Sequence, residues 1–135
     1  MSTELDLSQK HKEDTAFDSG WSFLSSLIPN LHERIEKTIP SNPDLEKLSI
    51  EFVYGNLHSR PYLSTRDREI IAISITTALG AEHALRAHIE LGYRCGLTRE
   101  DILEIILHSA AYSGFPRALS ASKNAIEILE EINET

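Results

Sequence analysis

Residues 68–88 read REIIAISITTALGAEHALRAH, and this stretch decides the fold. Its first half predicts a largely buried helix over Arg68–Leu79, because apolar and small residues dominate it. Ser64 followed by Asp67 is typical of a helix N-cap just before that helix. Gly80 is the residue type that commonly follows a helix C-terminus, so the helix is expected to stop there.

The remaining sequence is also predicted to be helical. Apolar residues recur at helical spacing between turns marked by proline and glycine, and no segment shows strand alternation with hairpin turns. The predicted helices are Phe17–Ile28, Leu31–Thr38, Leu45–Leu57, Arg68–Leu79, Glu82–Arg94, 102–112 after a Thr98 cap, and Pro116 to about Ile132, with Ser2–Thr15 polar and frayed at its start. We therefore expect an all-α protein, a compact bundle of six to seven helices forming one domain over residues 1–135.

Composition limits the function classes. The formal net charge is −8, which disfavours binding to the phosphates of nucleic acid. The N-terminus has no apolar signal core, and the longest apolar run is too short to span a bilayer. The only cysteine, Cys95, allows no intramolecular disulfide. These features predict a cytoplasmic protein without nucleic-acid or membrane partners.

His88 is the first candidate catalytic residue. On the helix predicted over Glu82–Arg94 it shares an apolar face with Leu85, Ile89 and Gly92. Spacing alone leaves two interpretations equally open. His88 is either a core histidine hydrogen-bonded to a backbone carbonyl, or a withdrawn imidazole that transfers protons near neutral pH.

Glu69 is the second candidate. A carboxylate near a helix start is more often solvent-exposed, where it interacts favourably with the helix dipole. Glu69, however, shares its helix face with Ala72, Ile73 and Thr76, which are small or apolar. If Glu69 is buried, its ionised form needs a partner, and a histidine is a natural one.

Three further side chains are candidates for substrate binding. Arg60, in the SRP turn, is able to donate two parallel hydrogen bonds to a carboxylate, although a surface arginine is commoner. His108 and Tyr112 lie one turn apart on an apolar helix and are otherwise core residues with polar tips. No metal site is predicted, because His83 and His88 are not at the i, i+4 spacing of helix ligands.

Several motifs together resemble the carboxymuconolactone decarboxylase family, part of the alkylhydroperoxidase-like superfamily. They are FVYG…SRPYL, REIIAI, EHALRAH, GLTREDILEIILH and AYSGFPRA, in the order and spacing of the family over roughly Phe52 to Ala121. The peroxidase branch has a helix glutamate, a CxxC pair and a histidine that relay protons to a thiol. Glu69 and His88 stand at the glutamate and histidine positions, whereas Ala81 and Ala84 stand at the cysteine positions.

The missing thiols disfavour a peroxidase. Without a thiolate there is no nucleophile for a peroxide and no partner for a disulfide, and Cys95 lies outside the pattern. The decarboxylase branch also lacks the cysteine pair. The sequence departs from that branch at Tyr54 and His58, where tryptophans are common, and Glu69 is itself typical of the peroxidase branch.

The resemblance implies a carbon–carbon lyase that acts on a small carboxylated lactone in the catabolism of aromatic compounds, and that needs no cofactor. His88 would donate the proton with Glu69 orienting it, Arg60 would hold a carboxylate, and Tyr112 or His108 would donate to the oxyanion. It also implies a homo-oligomer, a trimer or a hexamer. Two other hypotheses stay open: a non-catalytic oligomeric binding protein of the same fold, and a related lyase or isomerase acting on another small carboxylated substrate.

Overall fold

The computed structural model describes residues 7–38 and 42–134, and this part of the chain contains helices and no β-strand. The elements in order are α1 (Leu7–Leu27), α2 (Leu31–Thr38), α3 (Pro43–Ser49), the π-helix π1 (Ile50–Leu57), α4 (Thr65–Leu79), α5 (Glu82–Arg94), α6 (Arg99–Ser113) and α7 (Phe115–Glu134). The predicted all-α class is confirmed. The chain divides into two compact units, Met1–Tyr62 (unit 1) and Leu63–Thr135 (unit 2).

Unit 1 differs from the sequence-based prediction at both of its longer helices. The first begins at Leu7 rather than Phe17, because the helix extends through polar residues that precede its apolar stripe. The single helix predicted over Leu45–Leu57 is two elements, α3 and then π1. The i→i+5 pattern of π1 persists to its end, where the His58 N–H donates to the Val53 carbonyl at 3.0 Å.

The boundaries of unit 2 follow the predicted capping residues. The Ser64 hydroxyl accepts from the Asp67 N–H at 3.0 Å at the start of α4. Gly80 ends α4 with φ 66°, a left-handed conformation that glycine adopts without strain. Thr98 and Asp101 form a reciprocal capping box at the start of α6. The bounds of α5 are those predicted, Glu82 to Arg94.

The core of unit 2 lies between α4, α5, α6 and α7. Most of its buried members are apolar side chains that recur at helical spacing, so each helix turns one apolar face towards the others. They are Ile73, Leu85, Ile89, Leu97, Ile102, Ile106, Ala110, Ala118, Ala121, Ala125, Ile128 and Leu129. At the rim, Arg86 joins α5 to α7 through Nη1, which donates to Asn124 Oδ1 at 2.8 Å and to Glu127 Oε2 at 3.2 Å.

The prediction that α4 is largely buried is wrong for one of its faces. Glu69, Ile73 and Thr77 are fully buried, but the opposite side of the helix faces outward because a four-helix unit covers only one side of each helix. Seven large apolar side chains of α4, α6 and α7 are 44–83% exposed; we call them the exposed apolar set, and they are Ile71, Ile75, Leu79, Leu107, Tyr112, Phe115 and Leu119. None of the described helices is both long and apolar enough to cross a membrane.

Candidate active site

Glu69 lies in the second turn of α4 and has no exposed surface. A carboxylate near a helix start is more often exposed to solvent. The burial of Glu69 therefore corrects the commoner of the two expectations from the sequence. Its neighbours on the same face, Ile73 and Thr77, are also fully buried, which places the carboxylate on the core side of α4. A carboxylate in this position is tolerated when a donor pairs with it.

His88 supplies that donor from α5. Its Nδ1 lies 2.9 Å from Glu69 Oε2, and 20% of the His88 side chain is exposed. Because a carboxylate accepts hydrogen bonds, this contact favours the form of His88 that carries its proton on Nδ1. The other ring nitrogen, Nε2, takes no part in this contact. The hydrogen-bonded pair expected from the resemblance is therefore present, and its chemical role is taken up below.

Gly92 allows α4 and α5 to approach closely beside this pair. A Cβ atom placed on Gly92 would lie 2.9 Å from Leu97 Cδ1, 3.1 Å from Ile73 Cδ1 and 3.6 Å from Glu69 Cβ. The helical spacing assigns Gly92 to the apolar stripe but does not predict this contact. A glycine inside a helix, which costs about 1 kcal/mol relative to alanine, is the sequence signal for such a close approach.

The neighbourhood of the pair has no reactive thiol. Ala81 precedes α5 and Ala84 lies in its first turn, so neither cysteine position of the peroxidase pattern carries sulfur. Burial, and secondarily the negative charge of Glu69, raise the pKa of the Cys95 thiol to about 11. Cys95 is therefore a neutral thiol near physiological pH, and it is a poor nucleophile in that form.

We expect Cys95→Ser to retain full activity, within about twofold, because the neutral thiol takes no part in proton transfer. In the unmodified protein, the rate of Cys95 alkylation by iodoacetamide should continue to rise with pH until about 11, since only the thiolate reacts. Mass spectrometry of the alkylated protein measures this rate. A rate that levels off near neutral pH, or an inactive but folded Cys95→Ser variant, would support a redox function instead.

Arg60 belongs to unit 1, in the turn that follows π1. Its side chain is exposed, and the guanidinium carbon lies 5.6 Å from the centre of the Tyr62 ring. Nearby in unit 1, the His58 ring contacts Phe23 and Tyr54, with centroid distances of 4.9 and 5.1 Å. Arg60 is therefore a surface arginine, the commoner of the two interpretations that the sequence leaves open.

His108 and Tyr112 are both exposed on α6, with ring centroids 5.6 Å apart. The structure does not group them with Glu69: His108 instead lines a depression of about 300 Å³ between α4 and α6, together with Arg66 and Asp101. Arg66 Nη2 lies 3.3 Å from Asp101 Oδ2 across that depression. A second cavity lies elsewhere in unit 2, and neither cavity is lined by the Glu69–His88 pair.

No metal centre is formed by the part of the chain that the structure describes. Within it, no three histidine, cysteine, aspartate or glutamate side chains come close enough together to hold an ion. The contact between His88 and Glu69 is an acid–base pair of two residues on neighbouring helices. What this arrangement can do chemically is accept, hold and return a proton.

Comparison with known proteins places these residues in a family. A profile of the carboxymuconolactone decarboxylase family matches residues 43–127, more than half of the chain and inclusive of Glu69 and His88. The 4-carboxymuconolactone decarboxylase of Acinetobacter baylyi is 29% identical over 103 residues, which cover 76% of this chain and 77% of that protein. The nitrosuccinic acid decarboxylase npaB of Metarhizium robertsii is 23% identical over 123 residues, which cover 90% of this chain and 85% of that protein. The extent of the profile match shows that the chain belongs to the carboxymuconolactone decarboxylase family.

Proposed function

We propose that this protein is a carboxy-lyase that removes carbon dioxide from a small carboxylated lactone without a cofactor. The observation that carries the proposal is the buried Glu69 carboxylate hydrogen-bonded to His88, an acid–base pair whose neighbouring thiol, Cys95, is neutral near physiological pH. The two named relatives, both decarboxylases, support the same reaction class.

The substrate itself supplies the electron sink in this reaction. Its leaving carboxylate is attached to a carbon that is conjugated through an alkene to the lactone carbonyl. When the carbon–carbon bond breaks, its electron pair passes into that system and forms a dienolate, and carbon dioxide leaves. The protein has to hold the carboxylate, stabilise the oxyanion and return one proton to carbon.

His88 is our assignment for the proton donor. Its imidazolium form gives the Nε2 proton to carbon and keeps the Nδ1 proton that it shares with Glu69. Water then reprotonates Nε2 and completes the cycle. Glu69 is a positioning residue: its carboxylate accepts from Nδ1 and so fixes the orientation of the ring.

The remaining roles rest on residue chemistry. Arg60 is assigned to a substrate carboxylate, because a guanidinium can donate two parallel hydrogen bonds to that group. Tyr112 and His108 are assigned to the oxyanion as hydrogen-bond donors. Both are exposed, so their part in the site depends on what covers them in the assembled protein.

A second candidate substrate is a nitro-substituted dicarboxylate. The nitrosuccinic acid decarboxylase matches 90% of this chain, and a nitro group accepts the electron pair left by decarboxylation as a conjugated lactone does. The same His88–Glu69 pair would serve both reactions, since each ends with protonation of carbon. A non-catalytic binding protein of the same fold is the third hypothesis.

Three substrate incubations distinguish these functions. The purified protein is mixed separately with 4-carboxymuconolactone, with nitrosuccinic acid, and with buffer alone. Ultraviolet absorbance follows the lactone, and released carbon dioxide is measured in every case. We expect lactone consumption with one equivalent of carbon dioxide. Turnover of nitrosuccinic acid alone would favour the second candidate, and a folded protein inactive on both would favour the binding protein.

We also propose that the protein assembles as a homo-oligomer, a trimer or a hexamer. The support is the exposed apolar set, whose members project from three helices of unit 2. Isolated apolar side chains at a surface are common. Seven large ones on three helices of one small unit favour a surface that is covered by a partner. A second copy of the chain would remove them from water.

Ile75→Glu is expected to break the assembly into smaller species, because a charge in the middle of the exposed stripe of α4 cannot be buried unpaired. Light scattering after size exclusion, at micromolar protein concentration, measures the change in mass. Ala87→Glu is the matched control, since it adds the same charge at an exposed position of α5 outside the exposed apolar set. A monomeric unmodified protein would contradict the assembly.

A further inference from the structure

We infer that Gly92 is a positioning residue for the Glu69–His88 pair, because its missing side chain sets the separation of α4 and α5 at which the hydrogen bond of the pair forms. Gly92 lies one turn after His88 on the same face of α5. On α4, Ile73 lies one turn after Glu69 in the same way. The effect of Gly92 on catalysis rests on the proposed function, whereas its effect on the geometry of the pair can be measured without a substrate.

The backbone conformation at Gly92 does not require glycine. Other glycines of unit 2 lie at helix ends with positive φ, a conformation that most residues avoid; they are Gly80, Gly96 and Gly114. Gly92 instead lies inside α5, in helical backbone where alanine is the more favourable residue. The space around the residue is therefore what favours glycine at this position.

The space beside Gly92 is filled by two methyl groups of the core. A Cβ atom on Gly92 would lie 2.9 Å from Leu97 Cδ1 and 3.1 Å from Ile73 Cδ1, closer than carbon atoms pack without repulsion. Leu97 is 1% exposed and Ile73 is fully buried, and both belong to the core of unit 2. In a close-packed core such methyl groups cannot turn aside without displacing their neighbours. A side chain at position 92 would therefore push α4 and α5 apart.

Separating these two helices would act directly on the pair. The same Cβ atom would lie 3.6 Å from Glu69 Cβ, so the Glu69 side chain leaves its helix beside position 92. The distance from His88 Nδ1 to Glu69 Oε2 is 2.9 Å. A hydrogen bond is largely lost once this distance reaches about 3.5 Å, so a shift of roughly half an ångström is enough to break the contact.

The test is Gly92→Ala, with the protonation of the His88 ring measured by NMR of the ring nitrogens at alkaline pH, where imidazole rings are neutral. In the unmodified protein the proton should be on Nδ1, and His88→Ala identifies the signal. Gly92→Ala should give a mixture of the two tautomers, because the carboxylate no longer selects Nδ1. Under the proposed function, kcat should fall roughly 10–100-fold while KM changes less, since a small misplacement of a reacting group has this scale.

Two controls separate positioning from a general loss of stability. Ala125→Val adds volume to the same core from α7, which carries neither member of the pair. It should lower Tm and leave the His88 signal unchanged. Adding Ile73→Val and Leu97→Val to Gly92→Ala removes both methyl groups that the new Cβ atom would meet, and should restore the Nδ1 signal and kcat.

A folded Gly92→Ala variant that keeps both the Nδ1 signal of His88 and its kcat would overturn the inference, as would an equal change in Ala125→Val. If Gly92→Ala does not fold, as judged by circular dichroism, Gly92→Ala with Leu97→Val decides instead, since the 3.1 Å contact with Ile73 remains. A retained Nδ1 signal in that variant would again overturn the inference. A protein whose Nδ1 signal responds to Gly92→Ala but which turns over no substrate would contradict the proposed function and support the positioning of the pair by Gly92.

Discussion

Replacing His88 with alanine is expected to lower kcat/KM for the true substrate by roughly 10²–10⁴-fold, the usual contribution of a general acid or base. The reason is that Glu69 holds one ring nitrogen of His88 at hydrogen-bond distance, and the second ring nitrogen is the proposed proton donor. Carbon–carbon bond cleavage would still occur on the bound substrate. Protonation of the dienolate would then depend on water.

His83→Ala is the matched control for this experiment. His83 lies on the same helix as His88, but it is exposed and about one and a half turns away, so its loss should leave kcat/KM within about twofold. Steady-state rates are compared after circular dichroism has shown equal helix content. If the two histidine variants retain similar activity, His88 is a core histidine and the proposed site is wrong.

Replacing Glu69 with glutamine is expected to lower kcat/KM by about tenfold or more, the usual scale for losing a hydrogen bond to a charged group. The carboxylate holds the His88 ring at 2.9 Å through Nδ1, and glutamine keeps nearly the same shape but offers only a neutral amide oxygen. The ring is then held less firmly in the orientation that presents Nε2, so kcat should fall more than KM changes. Steady-state kinetics of the folded variant separate these two effects.

The control for Glu69→Gln is Glu90→Gln. Glu90 is also a buried carboxylate, and its Oε2 accepts from Arg94 Nε at 2.9 Å rather than from His88. Its replacement should change stability more than kcat. A folded Glu69→Gln variant with unchanged kcat would contradict the assignment of Glu69 as the residue that positions His88.

Much of unit 2 was predictable because its helix boundaries depend on local chemistry. A hydroxyl at Ser64 or Thr98 satisfies backbone N–H groups at a helix start whatever the rest of the chain does. Gly80 likewise ends α4 through a conformation that other residues avoid. Such signals lie within a few residues of the boundary that they set, so they can be read directly from the sequence.

Burial was harder to predict, since it depends on which elements pack together. Glu69 and Ile71 lie on one helix two residues apart, yet the carboxylate is buried and the isoleucine is 44% exposed. Unit 1 shows the same difficulty: Leu45, Leu48 and Phe52 recur at helical spacing, but all three are about 60% exposed. An apolar stripe predicts a helix face, and the tertiary structure decides what covers it.

The candidate site was predicted from the family resemblance more than from spacing. The periodicity of α5 leaves His88 as either a core residue or a proton donor, and nothing in the sequence near Glu69 identifies its partner. Their positions in the family pattern predicted the contact, which the structure contains at 2.9 Å. The contribution of Gly92 depends on the distance between two helices, which a one-dimensional pattern does not encode.

Glu69 and His88 lie on consecutive helices that are joined by only Gly80 and Ala81. The acid–base pair is thus contained in a single helical hairpin of unit 2. Because both members come from one short segment, substitutions elsewhere in the chain leave them in place. Under the proposed function, such substitutions could change which molecule is bound without the proton-transfer chemistry being rebuilt.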